Sequence, residues 1–306
     1  MVDLSNFLVS EGLMSGLKGK ATHDFDGESL ATGLQKNFGV NIKNQPFQQK
    51  DSPTLSSDCT FCSLYLIFMK LVLVGIGGPS SSGKTTVAKA LHSLYPASTL
   101  VHLDDFYFPD DQIPKDADKG VENWDCADAI DWTKFEQYIE AVRKSNGATL
   151  PIESLELDPQ LKLSEQEKQQ LSSLAKDNLA SPDYHFVFVD GFMLFHSEII
   201  ARLFDVKLFF RAPYAVLKAR REARLGYNTV EGFWVDPPNY FDDIVWPEFV
   251  KSHKWLFEDE DVEKNLTKEA RALGLADIVN DNSARLTDLI KWAILEIAKQ
   301  MREELS

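Results

Sequence analysis

The fold is decided by a stretch of nine residues, 78–86, which reads Gly-Pro-Ser-Ser-Ser-Gly-Lys-Thr-Thr. The stretch matches a phosphate-binding loop, in which a glycine and four variable residues precede Gly-Lys-Thr. Residues 71–76 before it are apolar and rich in β-branched side chains, which predicts a buried strand. Residues 87–91 after it begin a helical pattern. This order of strand, loop and helix is the context in which such a loop binds a nucleotide phosphate.

The residue types in the loop suit a bound anion. Glycines let the backbone approach a phosphate without a Cβ atom in the way. Successive N–H groups and the N-terminus of the following helix surround the negative charge. Lys84 is expected to reach the β- and γ-phosphates, and the Thr85 hydroxyl is expected to bind Mg²⁺. The sequence therefore predicts a purine-nucleotide site that works with magnesium.

Predicted strands and helices alternate after the loop. The predicted strands are 71–76, 99–103, 186–192, 206–210 and 277–279. The predicted helices after the first are 132–144, 164–179, 214–224 and 286–305, with another around residues 245–256. This alternation predicts an α/β fold of the P-loop NTPase type, a five-stranded parallel sheet flanked by helices.

Three segments lie outside this pattern. Residues 1–68 are polar with weak periodicity, and we predict an N-terminal extension that is disordered or outside the core. The nucleotide-binding domain is then 69–306. Residues 147–183 are predicted to be a peripheral insertion, whose helix opens with a capping box at 164–167. Residues 225–236 contain two glycines and are predicted to form a mobile lid.

Composition and charge exclude several classes of function. The 306 residues carry a net charge of −15, which disfavours nucleic acid and anionic membranes as partners. Three cysteines do not form a disulfide framework, so we predict a reducing compartment, the cytoplasm or also the nucleus. The apolar run at 63–74 suggests a membrane span, but Lys70 interrupts it and its second half is the strand before the loop. With nucleic acids and membranes disfavoured as partners, we predict that the protein acts on a small molecule.

Carboxylates follow two of the predicted strands. Asp104 comes directly after the strand at 99–103, and Asp190 lies near the end of the strand at 186–192. Ligands of open α/β sheets bind outside the carboxyl ends of the strands, so both acids are expected near the phosphate loop. Asp190 fits the acid that holds Mg²⁺ directly or through water. Asp104 is either a functional acid or a helix N-cap.

Two further groups suit a nucleoside and a transferring phosphoryl group. Trp124 next to Asp125 offers a ring to stack a base and an acceptor for ribose hydroxyls, although packing and a helix cap explain the pair equally well. The predicted helix at 214–224 carries four cations, Lys218, Arg220, Arg221 and Arg224. They form either a solvated face or, just before the lid, a set that stabilises charge in the transition state.

Together these motifs resemble the nicotinamide riboside kinases, within the uridine kinase-like group of P-loop kinases. The resemblance covers roughly residues 69–303 and rests on the phosphate loop, on the Arg cluster and on six short motifs. These motifs are Asp-Asp-Phe-Tyr-Phe-Pro at 104–109, Asn-Trp-Asp at 123–125, Asp-Gly-Phe-Met-Leu-Phe at 190–195, Pro-Tyr at 213–214, Tyr-Phe-Asp at 240–242 and Val-Trp-Pro at 245–247. It implies transfer of the ATP γ-phosphoryl group to the 5′-hydroxyl of nicotinamide riboside, and of nicotinic acid riboside as an open possibility.

Other functions stay open at this point. Uridine, cytidine, pantothenate or another small alcohol are alternative acceptors for the same chemistry. An ATP-binding protein without catalysis is a further alternative, which the presence of both Asp104 and Asp190 disfavours. A switch GTPase needs an Asn-Lys-x-Asp guanine motif, and the chain contains no Asn-Lys pair. The lid at 225–236 is several residues longer than in the family, which leaves its contacts open.

The resemblance implies a role for each matched residue. Asp104 would take the proton from the 5′-hydroxyl and lie near Mg²⁺, Trp124 would stack on the nicotinamide ring, and Asp125 with Arg221 would hold the ribose hydroxyls. The predicted catalytic residues are Asp104, Lys84 and Asp190, and the predicted metal ligands are Thr85 and Asp104. The predicted ATP-binding residues are Gly78, Pro79, Ser80, Ser81, Ser82, Gly83, Lys84, Thr85, Thr86, Arg220, Arg224 and Arg285. The predicted substrate-binding residues are Asp104, Asp105, Phe106, Tyr107, Trp124, Asp125 and Arg221.

Overall fold

The computed structural model of the chain describes residues 70–95, 97–147, 161, 163–179, 184–229 and 232–304. The predicted N-terminal extension at 1–68 lies outside these residues, and the division of the chain at residue 69 stays a prediction. Within the described ranges, no helix is both long and apolar enough to cross a membrane.

Five parallel strands form the central sheet, and a short antiparallel hairpin lies apart from it. The strands in chain order are β1 (Lys70–Gly77), β2 (Thr99–His102), β3 (Tyr184–Gly191), β4 (Val206–Arg211), β5 (Tyr227–Asn228), β6 (Phe233–Trp234) and β7 (Leu275–Val279). The order in the sheet is β2-β3-β1-β4-β7, and β5 pairs with β6. Because β1 is central, the loop after it opens at the middle of the carboxyl edge, where ligands of such sheets bind. The predicted sheet is confirmed.

Helices cover both faces of this sheet. They are α1 (Lys84–Leu94), α2 (Trp132–Lys144), α3 (Glu165–Leu179), α4 (Glu198–Ala201), α5 (Tyr214–Glu222), α6 (Trp246–His253), α7 (Lys268–Ala272) and α8 (Leu286–Glu304). Alternate side chains of β1 point to two cores: Leu73 belongs to one, and Val72 and Val74 belong to the other. Phe135 of α2 and Phe249 of α6 lie in the first core, and α1, α3 and α8 supply the second. The α/β class is therefore confirmed as well.

The described part of the predicted insertion 147–183 packs as a core helix. Its capping box is present, because the Glu167 N–H donates to Ser164 Oγ over 3.3 Å and the Ser164 N–H donates to Glu167 Oε2 over 2.8 Å. Three apolar side chains on one face of α3 are buried in the second core, Leu171, Ala175 and Leu179. The polar sequence of this segment predicts a helix at the periphery, whereas the structure buries one face of α3 in the core.

The helix predicted around residues 245–256 is three short segments. A π-helical turn covers Phe241–Val245, α6 follows, and a 3₁₀ turn covers Lys254–Leu256. Pro247 lies at the start of α6. A proline lacks the N–H that a helix interior needs, so it is tolerated only in a first turn and makes a new α-helix begin there.

His253, at the end of α6, is fully buried between the rings of Phe209 and Phe249, whose centroids lie 5.8 and 4.9 Å away. Its Nδ1 is 3.1 Å from the Phe249 carbonyl oxygen. Burial lowers the pKa of His253 to about 3, and the hydrogen bond with the Phe249 carbonyl oxygen offsets only part of this decrease. The folded protein therefore keeps this ring neutral where an unfolded histidine is charged.

We expect the free energy of unfolding to fall as the pH is lowered through the unfolded pKa of about 6.5, because only the unfolded state then takes up this proton. The part due to His253 is about 2 kcal/mol between pH 7 and pH 5. In His253→Phe we expect this contribution to the free energy of unfolding to disappear. Denaturant unfolding at several pH values measures it. His185 and His196, whose pKa values burial also lowers, remain in both proteins. Equal pH slopes in the two proteins would contradict the prediction.

Candidate active site

The phosphate loop is held in a conformation that glycine makes possible. Gly78 and Gly83 have φ angles of 138° and 94°, in the region that L side chains rarely adopt. A Cβ atom on Gly78 would lie 1.9 Å from the Phe210 carbonyl oxygen, and one on Gly83 would lie 2.6 Å from Asn280 Nδ2. The sequence predicts that these glycines let the loop approach a phosphate. The structure gives a second reason for them, because a side chain at either position would collide with neighbouring protein atoms.

Asn280 fastens the loop after β7 to the phosphate loop. Its buried side chain donates from Nδ2 to the Ser82 carbonyl oxygen over 2.7 Å, and its own N–H donates to the Arg211 carbonyl oxygen over 2.6 Å. The loop at 280–285, which ends at the predicted ATP-binding residue Arg285, therefore adjoins the phosphate loop. Arg285 at its end forms an exposed ion pair with Asp288, and a contact of Arg285 with ATP stays a prediction.

Asp190 is joined to the phosphate loop and to β2. The Thr85 hydroxyl donates to Asp190 Oδ2 over 2.5 Å, and the His102 ring contacts Oδ1 through Nδ1. His102 and Asp190 are paired across β2 and β3, and both are buried. Burial raises the pKa of Asp190, but the hydrogen bond and charge of His102, the Lys84 charge and the Thr85 hydroxyl outweigh it and hold the pKa below its usual value. Asp190 is therefore an ionised carboxylate, and His102 is a site residue that sequence analysis missed.

Lys84 and Asp104 belong to the same edge of the sheet as this acid. The Lys84 charge acts on both Asp190 and Asp125, so its ammonium lies near both carboxylates. Asp104 lies in the 3₁₀ turn Leu103–Phe106 that follows β2. Burial, and then the charges of Asp104 and Asp125, raise the pKa of Tyr107 well above its usual value. The predicted acid, lysine and substrate residues therefore share one edge of the sheet.

The buried guanidinium of Arg221 connects the phosphate loop, Asp125 and the lid. Its Nη1 donates to Ser80 Oγ over 2.8 Å, and Nη1 and Nη2 donate to Asp125 over 3.2 and 3.1 Å. Nε and Nη2 donate to Asp236 over 2.6 and 3.1 Å. Burial opposes the charge of Arg221, yet Asp125 and Asp236 hold its pKa well above the usual value. For Asp125, burial raises the pKa and Arg221 limits the rise.

The other arginines of α5 and its end have different surroundings. Arg220 is half-buried, with Nη1 3.4 Å from the Ser81 carbonyl oxygen and Nη2 3.4 Å from the side-chain oxygens of Asn280 and Asn282. Among the described residues, no carboxylate forms an ion pair with it. Arg224 is exposed, and its guanidinium lies 5.2 Å from the centre of the Tyr227 ring. The cluster is thus neither a uniform solvated face nor a single phosphate clamp.

Trp124 is fixed by its backbone and surrounded by aromatic rings. Its N–H donates to the Tyr240 hydroxyl over 3.0 Å, and its carbonyl oxygen accepts from the Tyr107 hydroxyl over 2.8 Å. The ring centroids of Tyr107 and Trp234 lie 5.4 and 5.9 Å from that of Trp124. Trp234 belongs to the lid, and its Nε1–H donates to Asp236 Oδ1 over 2.8 Å. The predicted Asn-Trp-Asp and Tyr-Phe-Asp motifs therefore meet.

The lid is folded against the site at both ends. Thr229 after β5 donates to Asp110 Oδ2 over 2.7 Å, and Asp236 after β6 pairs with Arg221. Trp234 and Asp236 are site residues that sequence analysis missed; the only signal for them was their position in the predicted lid. Motion of the lid stays a prediction.

One predicted substrate residue, Phe106, lies in the hydrophobic core. Phe106 has no exposed surface, and its ring packs on Phe135 and Tyr138 with centroid distances of 5.1 and 5.4 Å. It supports the turn that carries Asp104, in which Asp104 and Asp105 are partly exposed and the phenylalanine is buried. A contact of Phe106 with substrate stays a prediction.

A phosphate-binding loop at the central strand, an ionised acid on its threonine and a guanidinium that joins the loop to a second set of acids define a P-loop kinase. The chain is 38% identical over 237 residues to "Nicotinamide riboside kinase" of Saccharomyces cerevisiae, with 76% of this chain and 98% of the relative covered. It therefore belongs to the nicotinamide riboside kinase family and is a phosphotransferase with ATP as its co-substrate.

Other relatives agree. "Nicotinamide riboside kinase" of Schizosaccharomyces pombe is 33% identical over 238 residues, which cover 76% of this chain and 99% of the relative. "Nicotinamide riboside kinase 1" of Homo sapiens is 27% identical over 183 residues, which cover 60% of this chain and 77% of the relative. No protein-family model matches the chain. A sugar kinase from Janibacter sp. HTCC2649 covers 75% of the chain at a TM-score of 0.33 and 15% identity, a similarity too low to carry an argument.

We expect His102→Leu to destabilise the fold by roughly 3 kcal/mol, because it leaves a buried carboxylate oxygen of Asp190 without its donor. His102→Asn is the matched control, since its Nδ2 occupies the position of the ring Nδ1 and can still donate. It should lose less than half as much. Denaturant unfolding of the three proteins measures both effects, and equal losses in the two variants would show that the contact with Asp190 is unimportant.

Proposed function

We propose that the chain transfers the γ-phosphoryl group of ATP to the 5′-hydroxyl of nicotinamide riboside. The enzyme phosphorylates this nucleoside as the names of its relatives indicate. The observation that carries the proposal for this chain is the Arg221 network, which joins Ser80 of the phosphate loop to Asp125 beside Trp124. A phosphate donor and a nucleoside bound at these two places meet at one edge of the sheet.

The residues present fit ATP with a magnesium ion carried on its phosphates. The Oγ atoms of Ser81 and Ser82 are buried without partners within the described chain, and no side chain caps the first turn of α1. Such free donors suit phosphate oxygens. The described residues contain no group of three or more acidic, His or Cys side chains that could hold a metal. Mg²⁺ needs no such group, because it usually takes only one or two carboxylates together with phosphates and water.

In this proposal Thr85, Asp104 and Asp190 would hold the magnesium ion. Both oxygens of Asp190 are engaged, by Thr85 and by His102, so Asp190 would act mainly through the Thr85 hydroxyl or through water. The ion supplies positive charge to the phosphate oxygens when bound. Lys84 at the start of α1 and Arg220, whose hydrogen-bond partners are neutral oxygens, supply further charge from the protein.

Asp104 is proposed as the general base. Its turn follows β2 directly, at the edge where the phosphate loop opens, and its charge acts on Tyr107 together with that of Asp125. A carboxylate here can accept the proton of the 5′-hydroxyl as the new bond to phosphorus forms. Because transfer depends mainly on positioning and charge, a carboxylate of ordinary basicity is sufficient.

The nucleoside is proposed to bind between Trp124 and the Arg221 network. A carboxylate accepts from ribose hydroxyls and a guanidinium donates to them, so Asp125 and Arg221 complement a diol. Two carboxylates surround one guanidinium, Asp125 and Asp236, which leaves a negative balance. That balance and the ring of Trp124 favour the cationic pyridinium of nicotinamide riboside over the neutral bases of uridine and cytidine.

Nicotinic acid riboside is proposed as a second, weaker acceptor, because its ring keeps the positive charge while its carboxylate meets the same acids. The proposed location is the cytoplasm or the nucleus, since three cysteines suit a reducing compartment.

A panel of acceptors tests the proposed range. We expect the full chain with Mg²⁺ and ATP to show its highest kcat/KM for nicotinamide riboside, a lower value for nicotinic acid riboside, and the lowest values for uridine and cytidine. Mononucleotide formation followed by chromatography measures all four. 5′-Deoxy nicotinamide riboside, which lacks the acceptor hydroxyl, is the blank. A higher kcat/KM for uridine or cytidine would overturn the proposed nucleoside contacts.

We expect Asp104→Asn to lower kcat by about 10²–10⁴-fold, the usual contribution of a general base, while ATP still binds. Asp111→Asn removes the same charge from an exposed position of the same segment and is the matched control, with kcat near that of the wild type. Steady-state kinetics and calorimetric ATP binding measure the two effects. Comparable kcat values for Asp104→Asn and the control would exclude Asp104 as the base.

A further inference from the structure

Two neighbouring indoles of the site differ in the state of their N–H groups. Trp234 in the lid donates from Nε1 to Asp236. Trp124 is 7% exposed, its backbone N–H and carbonyl oxygen are both bonded, and its Nε1 is buried with no partner in the described part of the chain. The polar group that remains unpaired on Trp124 is therefore one that donates and cannot accept.

A buried donor without an acceptor is unfavourable, because folding removes its hydrogen bond to water and supplies no replacement. Trp124 lies where a partner from outside the chain is expected: Asp125 follows it and is bonded to Arg221, and the rings of Tyr107 and Trp234 border it. An indole used only for stacking would need no free N–H, and a tyrosine or phenylalanine would stack as well.

We infer that Trp124 determines specificity, by donating its Nε1–H to the oxygen of the 3-carboxamide on the pyridine ring of the substrate. Because this N–H lies in the plane of the indole, the pyridine ring must be offset and tilted toward the indole edge, with its carboxamide turned toward Nε1. The inference rests on the proposed placement of the nicotinamide ring at Trp124 and adds the atom that is recognised. A bound nicotinamide riboside supplies the missing acceptor. A pyridine nucleoside without the 3-substituent stacks equally well but leaves the donor buried and unpaired.

The experiment compares nicotinamide riboside with pyridinium riboside, which has the same charge and ribose but no carboxamide. The full-length wild type, Trp124→Phe and Trp234→Phe are assayed with both nucleosides. We expect the wild type to prefer nicotinamide riboside in kcat/KM by about tenfold, the ratio that about 1.4 kcal/mol from one hydrogen bond supplies. In Trp124→Phe the preference falls to about one, because only nicotinamide riboside loses a contact.

Trp234→Phe is the matched control, because it removes an indole N–H whose partner is Asp236. Whatever it does to the absolute rates, the ratio between the two nucleosides should stay at the wild-type value. ATP binding by each variant, measured by calorimetry, shows that the phosphate side is intact. A fall of the ratio in Trp124→Phe alone supports the inference.

The other outcomes separate the inference from the proposal beneath it. If Trp124→Ala raises KM for both nucleosides while Trp124→Phe keeps the wild-type ratio, stacking stands and the hydrogen bond is overturned. If neither variant changes KM for either nucleoside, the ring does not bind at Trp124 and both are overturned. An equal kcat/KM of the wild type for the two nucleosides overturns the inference without any variant, even where Trp124→Phe does not fold.

Discussion

The site depends on the neutralisation of one buried guanidinium. Arg221 is 6% exposed, and its five N–H donors make five hydrogen bonds to Ser80, Asp125 and Asp236. A buried charge without partners is strongly destabilising, so Arg221 favours the arrangement in which the phosphate loop, the Asn-Trp-Asp segment and the end of the lid make these bonds. A lysine has three donors on one atom and cannot bridge three segments in this way. The ion pair is therefore a constraint on the shape of the site, in addition to the contact with ribose that is proposed for it.

The sheet sets the second constraint, because its register decides which side chains meet at the carboxyl edge. His102 and Asp190 are adjacent since β2 and β3 are paired in parallel there, and Thr85 reaches the same carboxylate because the phosphate loop leaves the neighbouring strand β1. Parallel strands end at the same edge, so residues from distant parts of the sequence converge without any local signal. Charge on Asp190 is then maintained by donors that the fold has already placed.

Much of this could be predicted from the sequence where the signal is local. The phosphate loop, the five strands and the acids at strand ends follow from spacing and periodicity within short windows. Arg220 and Arg221 could be told apart only by the family resemblance and not by the local pattern, because only the packing of α5 shows which of these adjacent helix residues is buried. His102 escaped prediction because its partner is 88 residues away. Trp234 and Asp236 lie in a lid whose short strands carry no periodic pattern, and their partners come from elsewhere in the fold.

In the proposed function, the lid links substrate binding to the same ion pair. A ring inserted between two parallel rings needs roughly 7 Å between them, twice the contact distance of about 3.5 Å, whereas the centroids of Trp124 and Trp234 are 5.9 Å apart. Trp234 would therefore have to move for the pyridine ring to stack on the face of Trp124 that Trp234 borders, and Trp234 is bonded to Asp236, which is bonded to Arg221. A ligand shifts such an arrangement only through interactions that differ between the two states. A cationic ring beside the Arg221 acids and an acceptor for the Trp124 N–H are two interactions of that kind, and a neutral nucleoside lacks at least the first.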